Sequence, residues 1–207
     1  RTMDLGFTTA VYVVAAILFI LSLGGLSGQE SAKRAVWYGI VGMGLAVLAT
    51  VTGPGVGLWH LTAILITIGG LIGYQLASKV EMTQMPELVA GMHALVGLAA
   101  VFVGFNAHFE LANVLTMDDT AKKVLEGFAA LLAKKSGAEI NILRVEASLG
   151  IWIGAVTFTG SVIAYGKLSG KVTSAATKFP GGHLLNATAA ISSLACLGWY
   201  LSSGALL

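Results

Sequence analysis

The sequence predicts an all-α integral membrane protein, a polytopic bundle of about six transmembrane helices with no soluble domain. The 207 residues are 56% hydrophobic and only 11% charged, with a mean hydropathy of +0.85. A soluble domain averages about 25% charged residues. The apolar runs approach the length of about 20 residues that a helix needs to cross hydrocarbon, and this favours helices over the short alternating strands of a membrane barrel.

Six apolar runs are each close to the length of one membrane-crossing helix. Glycine-rich stretches separate several of them, and the four tryptophans lie toward predicted helix ends, as expected for an interfacial aromatic belt. The predicted spans are Leu5–Leu26, Ala35–Thr52, Leu58–Ala77, Pro86–Phe105, Ala147–Gly166 and His183–Leu206.

The basic residues predict an orientation. The connections after the first, third and fifth spans contain lysine or arginine, whereas the connection after the second contains neither. The positive-inside rule therefore places the odd connections on the cytoplasmic or matrix side and the N-terminus outside. The fourth connection is long and interleaves both signs of charge, so it carries less weight.

This fourth connection divides the chain into three parts. Residues 1–106 hold the first four spans, residues 107–146 form a charged insert, and residues 147–207 hold the last two spans. Within the insert, apolar residues from Ala121 to Leu132 recur at helical spacing, which predicts an amphipathic helix. The helix either lies at the membrane interface or forms part of a solvated hairpin on the bundle.

His93 is the leading candidate for a functional residue. A helix that begins near Pro86 rises about 1.5 Å per residue, which places His93 roughly 10 Å inside the membrane. An ionisable side chain at that depth is costly and is typical of a proton or ion path. Among ionisable side chains, histidine also has the unperturbed pKa that lies closest to physiological pH. The alternative is a neutral histidine that only hydrogen-bonds neighbouring helices.

Small residues on the fourth span predict where it packs. His93 shares a helical face with Gly97, Ala100 and Gly104, while bulky apolar residues occupy the opposite face. Small side chains let helices approach closely in lipid. We therefore expect this face, including His93, to lie against protein.

The fifth span repeats the pattern. Gly150, Gly154, Thr157 and Ser161 share one face. Thr157 and Ser161 are one turn apart and can present hydroxyl groups to a neighbouring helix or to a chain of water molecules. The alternative is that these hydroxyls bond back to their own helix and serve packing alone.

The remaining polar groups have weaker functional signals. Glu87 suits the first turn of a helix, where the helix dipole favours a carboxylate, and it is also a candidate for the mouth of a proton channel. His60, His108 and His183 lie at predicted helix ends, where interfacial roles are expected. No motif for a metal or a nucleotide is present, and a net charge of +2 gives no reason to expect a nucleic-acid partner.

Three stretches point to a known family. They are Tyr12–Ile20, then Val80–Val89 with His93 and Val96–Phe105, and finally Gly154–Val162 continuing to Gly166-Lys-Leu. Together they resemble the membrane domain of the beta subunit of proton-translocating NAD(P) transhydrogenase. The resemblance covers nearly the whole chain apart from the insert.

The resemblance implies a mechanism and a set of roles. Members pass hydride between NAD(H) and NADP(H), which bind to two soluble domains, while a proton crosses the membrane domain. By this resemblance His93 is a main candidate for the proton-binding group, Ser161 lines the same region, and Gly154 and Gly160 allow close packing and conformational change.

The resemblance also implies partners and a location. The expected partners are the transhydrogenase alpha subunit and the NADP(H)-binding domain, in an assembled enzyme that is a homodimer. The expected location is the bacterial inner (cytoplasmic) membrane or the mitochondrial inner membrane.

The chain departs from the family pattern in two respects. Its 207 residues include neither the family's later spans nor its NADP(H)-binding domain, and its insert is longer than expected. We therefore expect this chain to bind no cofactor itself and not to catalyse hydride transfer alone. The alternative function is a non-catalytic structural membrane subunit of a larger complex. A stand-alone transporter is a weaker alternative, because no inverted repeat or pair of broken helices is evident.

Overall fold

The computed structural model describes residues 5–53, 58–175 and 181–203, and within these ranges the chain contains helices and no β-strand. A single 3-10 turn, Met82–Gln84, precedes the fourth helix. The α-helices are α1 Leu5–Leu26, α2 Ala32–Thr52, α3 Trp59–Lys79, α4 Met85–Thr116, α5 Asp119–Lys122, α6 Gly127–Ala133, α7 Gly137–Leu168 and α8 Gly182–Ser203.

Five of the described helices, α1 to α4 and α7, are long and apolar enough to cross a membrane. Helix α8 occupies the sixth predicted span, whose last residues, including Leu206, lie outside the described part of the chain. Most large apolar side chains are exposed rather than buried, as expected for helices that face lipid. The predicted all-α, polytopic membrane bundle is confirmed.

The chain divides into two compact units. One consists of Arg1–Gly73 with Lys123–Leu131, and the other consists of Tyr74–Lys122 with Leu132–Leu207. Helices α1 and α2 pack on each other in the first unit, and α4 packs on α7 in the second, where α8 also contacts α7.

The α1–α2 hairpin is antiparallel and close-packed. A Cβ atom added to Gly42 would lie 3.2 Å from the carbonyl oxygen of Ala15, so the two backbones approach closely there. The buried Ser22 hydroxyl donates a hydrogen bond across the pair to the carbonyl oxygen of Ala35 at 2.7 Å. Small side chains and a hydroxyl that bonds across the pair thus fix the hairpin.

Residues at the N-termini of the two long helices of the second unit explain where these helices begin. Pro86 lies in the first turn of α4, where its missing N–H removes no helical hydrogen bond, and Glu87 follows in the same turn. Helix α7 begins with a capping box, in which the backbone N–H of Ser136 donates to the carboxylate of Glu139 at 2.8 Å.

The structure shortens the predicted insert from both ends. Helix α4 continues beyond Phe105 to Thr116, and α7 begins at Gly137 rather than at Ala147. Each helix has 32 residues. Such a helix is about 48 Å long, whereas the hydrocarbon core is about 30 Å thick, so both helices extend past the bilayer.

The remainder of the insert does not form the single amphipathic helix that the periodicity predicts. Two short helices, α5 and α6, flank a break at residues 123–126. Gly127 ends this break with a φ of 66°, a left-handed conformation that only glycine adopts without strain. The apolar spacing is helical, but the backbone at Gly127 interrupts the helix.

Candidate functional site

The polar residues that are candidates for the site lie along the crossing of α4 and α7, where the backbones of the two helices are in contact. A Cβ atom added to Gly97 would lie 2.8 Å from the carbonyl oxygen of Gly154 and 2.6 Å from the backbone nitrogen of Phe158. One added to Gly154 would lie 2.7 Å from the carbonyl oxygen of Gly97. Real Cβ atoms do not approach so closely, so only glycine fits at either position.

Contacts above and below this crossing fix the register of the pair. Toward the end of α4, Gly104 lies against the side chain of Ile151. Toward the start of α4, a Cβ atom on Gly91 would lie 3.5 Å from the ring of Tyr165. Residues later in α4 therefore contact residues earlier in α7, so the two helices are antiparallel.

This register brings His93 and Ser161 to the same level of the pair. Thr157 is beside Gly97, since its Cβ lies 3.0 Å from a Cβ atom placed there. One turn from Gly97 toward the start of α4 is His93, and one turn from Thr157 toward the end of α7 is Ser161. Thr157 and Ser161 are both half-buried.

His93 itself is exposed in this chain, which differs from the expectation that it lies against protein. The adjacent Ala94 is buried instead, together with Gly97 one turn on. The predicted face is therefore in contact at Gly97 and Gly104, but its His93 edge turns away and Ala94 takes that place. The imidazole lies beside the contact between α4 and α7 rather than within it.

The other predicted positions fall into two groups. Glu87 is half-buried in the first turn of α4, at the end of the helix nearer to His93. Gly150 and Gly160 have no atom within 4 Å of an added Cβ, so neither lies at a close helix approach within the described residues.

His108 is the residue that the sequence reasoning missed. It was expected at an interface, because it lies beyond the predicted end of the fourth span at Phe105. The structure continues α4 through it and leaves only 8% of its surface exposed. The signal was present, since Gly97, Gly104, His108 and Leu111 follow one helical face, and all four are buried.

His108 bonds to α8. Its Nδ1 lies 2.7 Å from the hydroxyl oxygen of Tyr200, whereas its Nε2 is buried and has no hydrogen-bond partner among the described residues. Beside this pair is a cavity of about 600 Å³ between α4, α7 and α8. Its wall is mostly apolar but includes the side chains of Ser148, Ser192 and Ser193.

Metal chemistry has no evident site in the described part of the chain. No group of three His, Cys, Asp or Glu side chains there could hold an ion. His60, at the start of α3, instead contacts the ring of Trp59, with ring centroids 3.5 Å apart.

Apolar spans, a close glycine crossing and titratable side chains along α4 define an integral membrane helix-bundle protein with polar groups at its helix contacts. The family model for the NAD(P) transhydrogenase beta subunit matches residues 8–206, and the chain belongs to this family.

Relatives agree with this assignment. The NAD(P) transhydrogenase subunit beta of Rhodospirillum rubrum is 43% identical over 176 residues, which cover 85% of this chain and 34% of that protein. The protein of the same name from Rhodospirillum rubrum strain ATCC 11170 matches to the same extent. The chain thus spans about a third of the length of these curated relatives.

Proposed function

We propose that this chain is the proton-translocating membrane part of an NAD(P) transhydrogenase and that His93 binds the transported proton. Partner domains would hold NAD(H) and NADP(H) and exchange hydride, with the alpha subunit and the NADP(H)-binding domain as the partners and a homodimer as the assembled enzyme. Membership of the beta-subunit family carries this proposal. The membrane would be the bacterial or the mitochondrial inner membrane.

The location of His93 supports its role. A charged side chain near the centre of a bilayer costs about 2.5–3.5 kcal/mol by insertion measurements, so a histidine that carries a proton needs surroundings other than lipid. Because the match covers only 34% of the relatives' length, the relatives contain further segments that could cover a face equivalent to the exposed face of α4. In the assembled enzyme His93 would then face protein or water and could bind and release a proton.

The α4–α7 crossing supports coupling to a conformational change. Transport requires that the proton bind with different affinity in two states of the protein. At Gly97 and Gly154 no side chains interlock, since the backbones are in direct contact. A small shift of α7 along α4 would therefore move Ser161 relative to His93 without repacking large side chains at the crossing.

The partner domains would drive this shift. Hydride transfer and nucleotide exchange on those domains would favour one arrangement of the helices over the other. Glu87, half-buried at the start of α4, would collect protons at the mouth of the route, and Thr157 would continue the row of hydroxyl groups beyond Ser161.

Replacement of His93 by alanine in the assembled enzyme tests the proposal. We expect His93→Ala to abolish hydride transfer that is coupled to proton movement, measured in proteoliposomes with a pH-sensitive dye. His60→Ala is the matched control, because His60 is also exposed but lies on α3. Unchanged coupled turnover and proton pumping in His93→Ala would reject the proposal.

The exposure of His93 favours a second candidate, a non-catalytic membrane subunit of a larger complex in which this histidine only packs. Purification from the native membrane separates the two functions. Co-isolation with subunits that carry NAD(H) and NADP(H) domains supports transhydrogenation. Isolation in a complex that lacks both supports the structural subunit.

A further inference from the structure

We infer that His108 and Tyr200 form a second, gated proton-binding site, which α8 closes and which serves the same proton route near the opposite membrane surface from Glu87. The inference rests on the proposed function, because it assigns a further group to that route. Its parts are a buried imidazole, one hydrogen bond between helices and an adjacent cavity.

The spacing along α4 suits a second site. His93 and His108 are fifteen residues apart, which is about 22 Å along a helix. With Glu87 and His93 toward the start of α4, a route across about 30 Å of hydrocarbon needs a proton-binding group nearer to the far surface. His108 is the titratable side chain of α4 that is buried in this part of the second unit.

The observed contact gives the ring of His108 one hydrogen-bond partner only. Its Nδ1 is bonded to the Tyr200 hydroxyl, and an imidazolium ring carries an N–H on both nitrogens. Nε2 is buried without a partner, so the protonated ring would carry an N–H in a place that offers no acceptor. Burying an unpaired charge in this way is strongly unfavourable.

Movement of α8 would remove this obstacle. Within its unit α8 contacts α7 and reaches His108 on α4 through Tyr200, and no described side chain of α8 is buried. Regions with few buried contacts open at low free-energy cost. If α8 moves outward, Tyr200 leaves Nδ1 and water reaches the ring, which then takes up one proton to become imidazolium and returns it to water on release.

The cavity beside the pair has room for that water. It holds about 600 Å³, and Ser148 on α7 and Ser192 on α8 are among the residues that line it. Each hydroxyl donates to a carbonyl of its own helix, and its oxygen can still accept a hydrogen bond from water. A water molecule occupies about 30 Å³ in the liquid and needs two to four polar partners. The cavity therefore offers both the volume and the hydrogen-bonding groups that a hydrated His108 requires.

Charged residues occur near the level of His108 on both packed helices. Glu110 follows two residues later on α4, and Arg144 and Glu146 lie at the corresponding level of α7 in the antiparallel register. On α8, Cys196 is one turn from Tyr200 and lines the same cavity.

Cys196 is the one cysteine of these 207 residues. It is exposed on a membrane helix and also lines the cavity, so a charged reagent reaches it only where water does and thus reports water in the opened cavity. The assembled enzyme is treated with a charged, water-soluble maleimide, and alkylation of the peptide that contains Cys196 is followed by mass spectrometry. His108→Gln removes the titrating ring, and Tyr200→Phe removes the hydroxyl but keeps the aromatic ring. His60→Gln is the matched control on α3.

We expect the ratio of wild-type to His108→Gln alkylation rates to rise as pH falls from about 8 to about 6, the range in which histidine titrates. Because both proteins contain Cys196, taking the ratio of their rates removes the effect of thiol ionisation on alkylation. The rise has a limit of about tenfold per pH unit for coupling to one proton. Tyr200→Phe should be alkylated faster than wild type at every pH, and His60→Gln should behave as wild type.

Proton pumping gives the second measurement. His108→Gln should change the shape of the pH profile of coupled turnover, and not only its height. A profile of unchanged shape, an alkylation ratio that does not vary with pH, or wild-type alkylation in Tyr200→Phe would each overturn the inference. The Tyr200→Phe result stands even if His108→Gln fails to fold. If His93→Ala abolishes pumping while His108→Gln retains the wild-type profile, only the second site is rejected.

Discussion

The α1–α2 hairpin and the α4–α7 pair are both antiparallel, but different forces hold them. Hydroxyl groups bridge the hairpin, from Ser22 to the carbonyl of Ala35 and between Tyr12 and Thr50 at 2.9 Å. Between α4 and α7 the described side chains make no hydrogen bond, and the hydroxyls of Thr116, Ser148 and Thr159 bond within their own helices. Directional bonds therefore fix the register of the hairpin, while shape alone fixes that of α4 and α7.

This difference separates a static element from one that can shift. The sequences of α1 and α2 contain no histidine, whereas α4 contains His93 and His108. A pair held by shape can shift without breaking a hydrogen bond between helices, which is the property that a proton-coupled element needs.

The strongest test of this comparison is the contact at Gly97. Gly97→Ala places a methyl group against the backbone of α7, which cannot rotate away as a side chain can. Overpacking of this kind costs about 1–3 kcal/mol, and we expect the upper end of that range. The control Gly150→Ala adds the same methyl group in open space. Thermal unfolding in detergent should show a clear loss of stability for Gly97→Ala alone, and equal unfolding temperatures would refute the shape-held interface.

A smaller effect is expected at Ser161, which lies level with His93. Ser161→Ala should lower coupled turnover about fivefold, since in the proposed route its hydroxyl would give the moving proton one hydrogen bond, which contributes roughly 1 kcal/mol. The control is Thr159→Ala, whose hydroxyl bonds to the carbonyl of Ala155 on its own helix. If both variants lose the same fraction of coupled turnover, the effect is not specific to the position of Ser161 beside His93.

The smallest effect is expected in the hairpin. Ser22→Ala removes the bond to Ala35 and should destabilise the protein by about 0.6 kcal/mol, the average for such bonds between membrane helices. Proton pumping should not change. The comparison is Thr67→Ala on α3, which loses only a bond within its own helix. Impaired pumping in Ser22→Ala would show that the hairpin also takes part in transport.

Apolar run length predicted the fold class well, because hydropathy and length together decide whether a helix can cross a membrane. It predicted the ends of helices poorly. Pro86 marks the start of α4 within a residue, but the chain has no comparable stop signal at Phe105, and α4 continues to Thr116. The buried role of His108 was missed for the same reason.

The site was predicted in part. Helical periodicity identified the faces that contain Gly97, Gly104 and Gly154, where the helices now meet closely. It could not decide whether His93 or Ala94 turns toward α7, since the two differ by one residue and the position of the partner helix settles the matter. Gly150 lies one turn from Gly154 on the same face of α7, yet no atom lies within 4 Å of a Cβ atom added to it. Spacing in the sequence shows which residues share a helix face, but not how far the contact with the partner helix extends.

The length of α4 has a mechanical consequence. The helix runs without a break from its glycine crossing at Gly97 to Thr116, a distance of about 28 Å at 1.5 Å per residue. It therefore acts as a lever arm with its pivot at the crossing. A tilt of about 10° at the pivot displaces the far end by roughly 5 Å, about one helical turn. Movements too small to disturb the glycine contact are thus amplified at the tip, where spectroscopic distance probes would detect them most easily.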